Sequence, residues 1–253
     1  MSTEGNKMDK DPLHIYKTYL EQQEKVNRFN RREKSLGMYT ASGAGLCMKK
    51  QWYLKNDAKM RPQSNPTRRK LQLGTIVGND FEKAIKWYAS QGEKDYLYFT
   101  EIHMKHKKYN LSGSFDLLIV DENNKGYLYD WKTTNVWSWK SIFSDKASSK
   151  DNYEYQLGTY AMMLEDNCFE LEGPPIKIVE MGLVYYKKDD SVMKIKPVDL
   201  SYKTFARDYW ERVNNIVTEP TPSMNNYMPA YKWECGDYCD YVDICDSPYI
   251  KRG

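Results

Sequence analysis

Three side chains carry the chemistry most open to reading: Asp116 in Gly113-Ser-Phe-Asp116, and Asp130 with Lys132 in Tyr127-Leu-Tyr-Asp130-Trp-Lys132. Alternate residues of a strand share a face, so Asp130 and Lys132 point one way and Trp131 the other. The turn Asp121-Glu-Asn-Asn-Lys-Gly126 returns the chain beside Asp116, which predicts two carboxylates and an ammonium at one edge of a sheet. Carboxylates so close repel unless a cation lies between them, and oxygen ligands of this type suit Mg2+ or Mn2+. Such an ion lowers the pKa of a bound water and stabilises the charge that builds on a phosphate under in-line attack. Lys132 would orient or help deprotonate that water, or neutralise the transition state. A lone Asp-x-Lys is usually a solvated pair worth under about 1 kcal/mol. Here a Gly-x-x-Asp opens an apolar strand, a turn follows, and Asp-x-Lys closes the next strand.

The second group is made of thiols. Cys235, Cys239 and Cys245 fall within eleven residues, Cys47 lies far upstream, and Cys168 stands alone. The polar first twelve residues read as no signal peptide, so an intracellular, reducing location is expected. Five is an odd number, and metal or cluster ligation is expected in place of a disulfide framework. Cys168 reads as a plain buried or half-buried thiol.

These groups need a scaffold. The chain has 253 residues, 40% apolar and 14% aromatic, enough for a substantial core. A mean hydropathy of -0.82, with no apolar run near about 18 residues, predicts no membrane-spanning helix. Leu13, Tyr16, Tyr19, Leu20, Val26 and Phe29 predict an amphipathic helix over 13–36. A loop at 39–45 leads to a helix carrying Cys47 and Trp52, and a break at 61–67 precedes a helix over 71–90. The period then changes: 97–106, 111–120 and 127–132 read as strands, about 153–165 as a helix, and 178–186 with 191–195 as a hairpin. Asp199 caps a last helix ending near 217. The fold class is therefore α/β (α+β), a central mixed sheet flanked by helices. The expected organisation is a flexible tail at 1–11, a basic helical segment at 12–70 contributing Cys47, a core at 71–218, and a cysteine segment at 219–253.

Asp116 followed by Asp130-Trp-Lys132 resembles the signature of the PD-(D/E)XK nucleases, in the branch related to RecB and AddB, and the resemblance covers about residues 42–245. It implies a restriction-endonuclease-like core and a divalent metal, Mg2+ or Mn2+, held by Asp116, Asp130 and the Trp131 backbone carbonyl. That branch also carries Gln-x-x-x-Tyr on a helix, and the chain has Gln156-Leu-Gly-Thr-Tyr160. Positions i and i+4 share a helix face; by resemblance, Gln156 and Tyr160 help hold the substrate strand and position the site. Where the family often has a metal-binding His, Gly78-Asn-Asp80-Phe-Glu82 is similar to a lambda-exonuclease-like branch in which Glu takes its place, which makes Glu82 the third carboxylate and Asp80 its reserve. Glu101 is a weaker candidate, at a position held by Glu in some relatives, with plain surface exposure the alternative. One early and three late cysteines resemble the iron-sulfur staple of AddB and of the CRISPR-associated RecB-like nucleases. This implies a 4Fe-4S cluster on Cys47, Cys235, Cys239 and Cys245. Three residues separate Cys235 from Cys239 where the family usually has two, so an all-cysteine zinc site stays open. Ligands 188 residues apart would close a long loop, worth on the order of 5 kcal/mol if the staple behaved as a cross-link.

The net charge of +3 conceals an asymmetry: residues 1–70 carry +9 and the remainder −6. Arg28, Arg31, Arg32, Lys49, Lys50, Arg68, Arg69 and Lys70, interleaved with Phe29, Tyr39, Trp52 and Tyr53, are the expected phosphate contacts, in a mix suited to single strands or frayed ends. Trp87, Tyr88, Trp137 and Trp139 read as core or rim more readily than as stacking platforms, with Trp137-Ser-Trp139 the best stacking candidate among them. The expected activity is a metal-dependent DNA exonuclease with little sequence specificity, working in recombination, repair or phage DNA metabolism, with a recombination or helicase partner admitted. A structure-specific or prespacer-processing endonuclease, and a non-catalytic nucleic-acid binding module with structural zinc, are the alternatives.

Overall fold

The computed structural model describes residues 11–92, 95–144, 151–169, 174–216, 232–235 and 239–250, without the side chains at 31, 32, 216, 232 and 233. A five-stranded sheet forms the centre, in the order β2 (Tyr96–Thr100), β5 (Leu117–Asp121), β6 (Lys125–Thr134), β7 (Lys177–Lys187), β8 (Met193–Pro197). β6 and β7 run parallel and the other neighbours antiparallel, so the sheet is mixed. A smaller sheet orders β1 (Tyr39–Thr40), β4 (Leu111–Ser114) and β3 (His103–His106).

The two sheets share one hairpin, and its course differs from the sequence expectation in a way that matters. Residues 97–106 and 111–120 read as two unbroken strands; each is cut in the middle. In the large sheet Thr100 pairs with Leu117, and in the small sheet His103 pairs with Ser114. Glu101 and Ile102 therefore lie opposite Phe115 and Asp116 at a seam where ladder pairing lapses. Glu101 turns the chain there with a φ of +54°, a left-handed conformation rare for a residue with a side chain. Phe115, fully buried, anchors the other side of the seam.

Six α-helices are described. α1 (Pro12–Ser35) is capped by the Asp11 carboxylate, which accepts from Leu13 N–H at 3.0 Å. α2 spans Met48–Lys55, with Cys47 as its N-cap residue. α3 runs Asn65–Ser90 and begins at 65 instead of 71, because the expected break supplies the start signal itself: Ser64 Oγ accepts from Thr67 N–H and Pro66 occupies the first turn. α4 (Val136–Phe143) was not expected; Asn135 caps it by accepting from Ser138 N–H at 2.9 Å. α5 is Asn152–Glu165 and α6 is Tyr202–Ile216. No described helix is long and apolar enough to cross a membrane.

The layers follow from the pleat. The even-numbered side chains of β6, including Leu128 and Asp130, face α5, and α6 packs behind α5 with Trp210 Nε1 donating to Thr159 Oγ1 at 2.9 Å. On the other face α3 stacks Phe81 on Trp131 at 4.5 Å between ring centroids. The core between sheet and α5 contains Leu118, Leu128, Leu157, Met162 and Leu183, none with exposed surface; burying each contributes roughly 1.5–3 kcal/mol. Gly158 permits the close approach of α6: a Cβ there would stand 2.3 Å from the Tyr202 carbonyl oxygen.

Candidate active site

The pleat fixes the first part of the site. Asp130 and Lys132 are both on the α5 face of β6, as the alternation predicts, and the Lys132 ammonium forms an ion pair with Asp130 Oδ2. α5 brings Gln156 over them. Its Oε1 accepts from Lys132 Nζ at 3.2 Å, while its Nε2 donates to Asp130 Oδ1 at 3.4 Å and to the Tyr160 hydroxyl at 3.0 Å. One helix turn thus presents both halves of the Gln-x-x-x-Tyr pair to one strand. Gly113 lets Tyr160 close in, since a Cβ at that position would lie 2.9 Å from the Tyr160 ring.

Asp116 enters from the seam between the sheets. Its Oδ2 accepts from the Trp131 N–H at 2.6 Å, which ties it to the strand carrying Asp130 and Lys132. Burial pushes the Asp116 pKa well above the ordinary carboxylate range, and the Asp130 charge pushes it further; Lys132 and the Trp131 N–H pull the other way and lose. Burial would lower the pKa of Lys132, but the charges of Asp130 and Asp116 outweigh it and hold that pKa above the usual lysine value. Tyr160 is raised well above its normal range by burial, then by Asp130.

Glu101 belongs to the same group. The residue is exposed as a whole, yet desolvation of its carboxyl raises its pKa, and Glu82 and Asp130 add to the rise. The seam therefore contributes two carboxylates, Asp116 and Glu101, and β6 a third. Glu82 reaches the group from α3, one residue after the Phe81–Trp131 stack; it also pairs with Lys86 at 2.5 Å. Asp80 is exposed on the same helix, and no influence of its charge on this group is found. Sequence reasoning held Glu101 as a weaker candidate with surface exposure the alternative, and the residue is exposed while its carboxyl faces this group. The available signal was a charged residue in the middle of a strand-like run, where a strand change was about to occur. It passed over Tyr153 altogether, whose ring lies 4.7 Å beneath the Lys132 ammonium.

By residue type and place this donor set fits a hard divalent cation. Three carboxylates crowd about the Lys132 ammonium, which offsets their charge only in part, and Asp130 Oδ2 is buried against that ammonium. As the side chains stand, no group of three Asp, Glu, His or Cys among the described residues is arranged to hold a metal ion. The same holds for the thiols, none of which is in a disulfide. Cys47, Cys239, Cys245 and Cys235 are nonetheless near neighbours: burial pushes the Cys47 thiol up to about 12, with the Glu234 and Cys239 charges adding to it, and Cys245 raises both Cys239 and Cys235. Around them α2 is fastened to the C-terminal segment by Cys47 N–H on Glu234 Oε2 at 2.8 Å, the Lys49–Asp246 ion pair, Tyr53 on the Ile244 carbonyl, and Tyr53 stacked on Tyr241. Cys168 is apart from them, packed against the main core.

The basic residues divide. Arg28 and Arg68 converge on Glu24, each at 2.6 Å; Arg68 thereby clamps α3 to α1, while the Arg28 pair lies within α1. Lys49 is buried against Asp246. Arg69 and Lys70 are exposed and Lys50 is half-exposed, whereas Arg31 and Arg32 lie outside the described side chains.

Similarity to known proteins agrees with this arrangement. No curated protein matches the sequence. Among solved structures, SSO0001 superposes with a TM-score of 0.52 at 18% identity, over 92% of this chain and 96% of that one. An alkaline exonuclease from Laribacter hongkongensis gives a TM-score of 0.43 at 15% identity, over 73% and 89%. The family model for the PD-(D/E)XK nuclease superfamily matches residues 52–246, a span that contains the seam, β6, α5 and the three late cysteines. With its Asp130-Trp-Lys132 strand set against a half-buried Asp116, the chain belongs to the PD-(D/E)XK nuclease superfamily.

Proposed function

We propose that the protein is a metal-dependent DNA exonuclease of the RecB-like kind, hydrolysing phosphodiester bonds at single-stranded or duplex ends with little regard for sequence. The observation that carries this reading is the convergence of Asp116, Asp130, Glu101 and Lys132 at the seam of the two sheets, under Gln156 and Tyr160. Mg2+ or Mn2+ bound there would supply a low-pKa water and charge stabilisation on the phosphate. Asp116, Asp130 and the Trp131 carbonyl are the assigned ligands, with Glu82 and Glu101 as the further carboxylates. Lys132, kept fully protonated by its two carboxylate neighbours, donates to a non-bridging phosphate oxygen or orients the attacking water. Gln156 holds the ammonium and Asp130 in register with each other, and the Tyr160 hydroxyl holds Gln156. Tyr153 supports the ammonium from below.

The quartet Cys47, Cys235, Cys239 and Cys245 is assigned to a structural metal centre, a 4Fe-4S cluster first and all-cysteine zinc second. Its support is the chemistry of four neighbouring thiols, two buried and two half-buried, at the junction of α2 and the C-terminal segment. Protein purified without oxygen should be brown and contain iron; stoichiometric zinc in a colourless sample points to the second centre, and neither metal refutes both.

Asp116→Ala and Lys132→Ala should each abolish Mn2+-dependent digestion of end-labelled linear DNA while the circular dichroism spectrum stays that of the wild type. Retained digestion in both variants would refute the site. A closed circular substrate left intact by the wild type separates the exonuclease from an endonuclease on the same fold.

A further inference from the structure

The sheet register extends the site sideways. On the α5 face, Lys132 of β6 is level with Tyr185 of β7 and Lys194 of β8, and Thr134 is level with Lys187. Two strand spacings of about 4.8 Å separate Lys132 from Lys194, and about two residues of roughly 3.3 Å rise separate it from Lys187. Within about 10 Å of the Lys132 ammonium, then, the same face acquires a set of cations. α4 roofs it: the Trp139 ring lies under Lys187 Nζ at 5.1 Å and Lys194 Nζ at 6.0 Å, and Phe143 lies under Lys194 at 5.5 Å. The roof reaches toward the site, because Phe143 packs on Tyr185 at 5.7 Å, and burial, then the charges of Glu154, Tyr153 and Asp130, raise the pKa of that tyrosine.

Charge pairing is uneven across the patch. Lys187 is paired with Asp190 at 2.7 Å, and among the described residues Lys140 and Lys194 have only aromatic rings for company. Both are exposed, and Lys140 stands 5.7 Å from the ring of Trp137, itself 77% exposed at the start of α4. An indole left largely in water, with Lys140 beside it and Lys194 on the same roof, neither paired with a carboxylate among the described residues, suits a polyanion whose subunits carry flat faces.

We propose that α4 and the β7–β8 edge form the path of a single DNA strand leaving the catalytic centre, with phosphates on Lys140 and Lys194 and an unpaired base stacked on Trp137. The path rests on the nuclease reading above and deepens it: it makes an unpaired strand, not a continuous duplex, the substrate at this side of the site.

Fluorescence anisotropy of a labelled single-stranded oligothymidylate, measured without divalent metal, tests it. Trp137→Ala should weaken binding roughly 5- to 150-fold, the loss of one stacking platform, and Trp137→Phe should recover most of it. Lys140→Ala combined with Lys194→Ala should lower the salt dependence of binding, log K against log salt, by roughly 1.4, two phosphate contacts' worth on a single strand. All three substitutions are at exposed side chains, so thermal melting should stay that of the wild type. If the wild type digests DNA while Trp137→Ala and the double variant bind with its affinity and slope, the path is overturned and the nuclease reading stands. If the wild type neither binds the oligonucleotide nor digests DNA, both fall.

Discussion

Asp116 and Asp166 are the same kind of residue in two regions of one molecule, and their surroundings drive them in opposite directions. Asp166, just past the end of α5, accepts from both terminal nitrogens of Arg207 at 2.7 and 2.8 Å and faces His106 Nε2 at 3.0 Å. Its pKa is held below the ordinary range, by Arg207 first and then His106. His106 accepts the Tyr109 N–H on Nδ1, which places its proton on Nε2, toward Asp166. β3, α5 and α6 are joined at one point where every charge meets its opposite. Asp116 has one backbone N–H for a partner, and two carboxylates, Asp130 and Glu101, raise its pKa beyond the rise that burial gives. The contrast separates two uses of charge: the Asp166 joint holds elements together, whereas the seam gathers carboxylates that the Lys132 ammonium offsets only in part. Groups perturbed in that second manner cluster at sites that bind or react.

Glu101 is where this contrast breaks most visibly. Its left-handed backbone costs roughly 1–2 kcal/mol, and its carboxyl is crowded by Glu82 and Asp130. Glu101→Gly removes both burdens. DNA digestion should fall on the order of 100-fold, while the melting temperature rises by about 2–4 °C for each kcal/mol released. A melting temperature that falls, or activity that is unchanged, would mean that Glu101 is a surface turn residue and the site ends at Asp116 and Asp130.

At the joint the expected change has the other sign and is smaller. The folded pKa of Asp166 is depressed, so its stabilisation is present above the unfolded value of about 3.9 and is lost as pH falls through the folded value. Asp166→Asn should therefore melt below the wild type at pH 7. The partly exposed pair is worth roughly 1 kcal/mol, so the shift is about 2–4 °C, and the two melting curves should draw together as the pH falls through the depressed folded value. A gap that persists in acid would assign the joint's strength to packing.

How much of this could be read beforehand depends on how local each cause is. The shared face of Asp130 and Lys132 comes from the period of two, and the pairing of Gln156 with Tyr160 from one helix turn; both are properties of a few consecutive residues. The seam is not. Residues 97–106 and 111–120 keep a strand-like pattern through Glu101 and Asp116, and only the pairing of Thr100 with Leu117 and of His103 with Ser114 divides them between two sheets. α4 was hidden by its own composition, since Val136, Trp137 and Trp139 favour strands as readily as helices; the Asn135 cap was the readable sign. The basic segment misled for a related reason. Arg68 looks like a free cation until α1 folds against α3 and brings Glu24, 44 residues earlier, to 2.6 Å.

The sharpest separation of the two regions is the smallest in size. The folded pKa of Asp116 is raised, so stability is lost as pH climbs from the unfolded value of about 3.9 through the folded one, and the full cost of the buried charge is felt at high pH. Asp116→Asn keeps a carbonyl oxygen for the Trp131 N–H and carries no charge to bury. Without divalent metal the variant should melt above the wild type at pH 8, by about 2 °C or more, and the gap should close toward pH 4. Added Mn2+ should then raise the wild type and leave the variant nearly unmoved, narrowing or reversing the gap at pH 8, because a cation that binds only the folded state stabilises in proportion to its affinity. Lys132 does attract Asp116, but its contact is with Asp130, and Asp116 is left with burial and two like charges. Should Asp116→Asn melt lower than the wild type at pH 8, as Asp166→Asn is expected to at pH 7, the seam would be one more satisfied joint, and its carboxylates would have no electrostatic reason to await a metal.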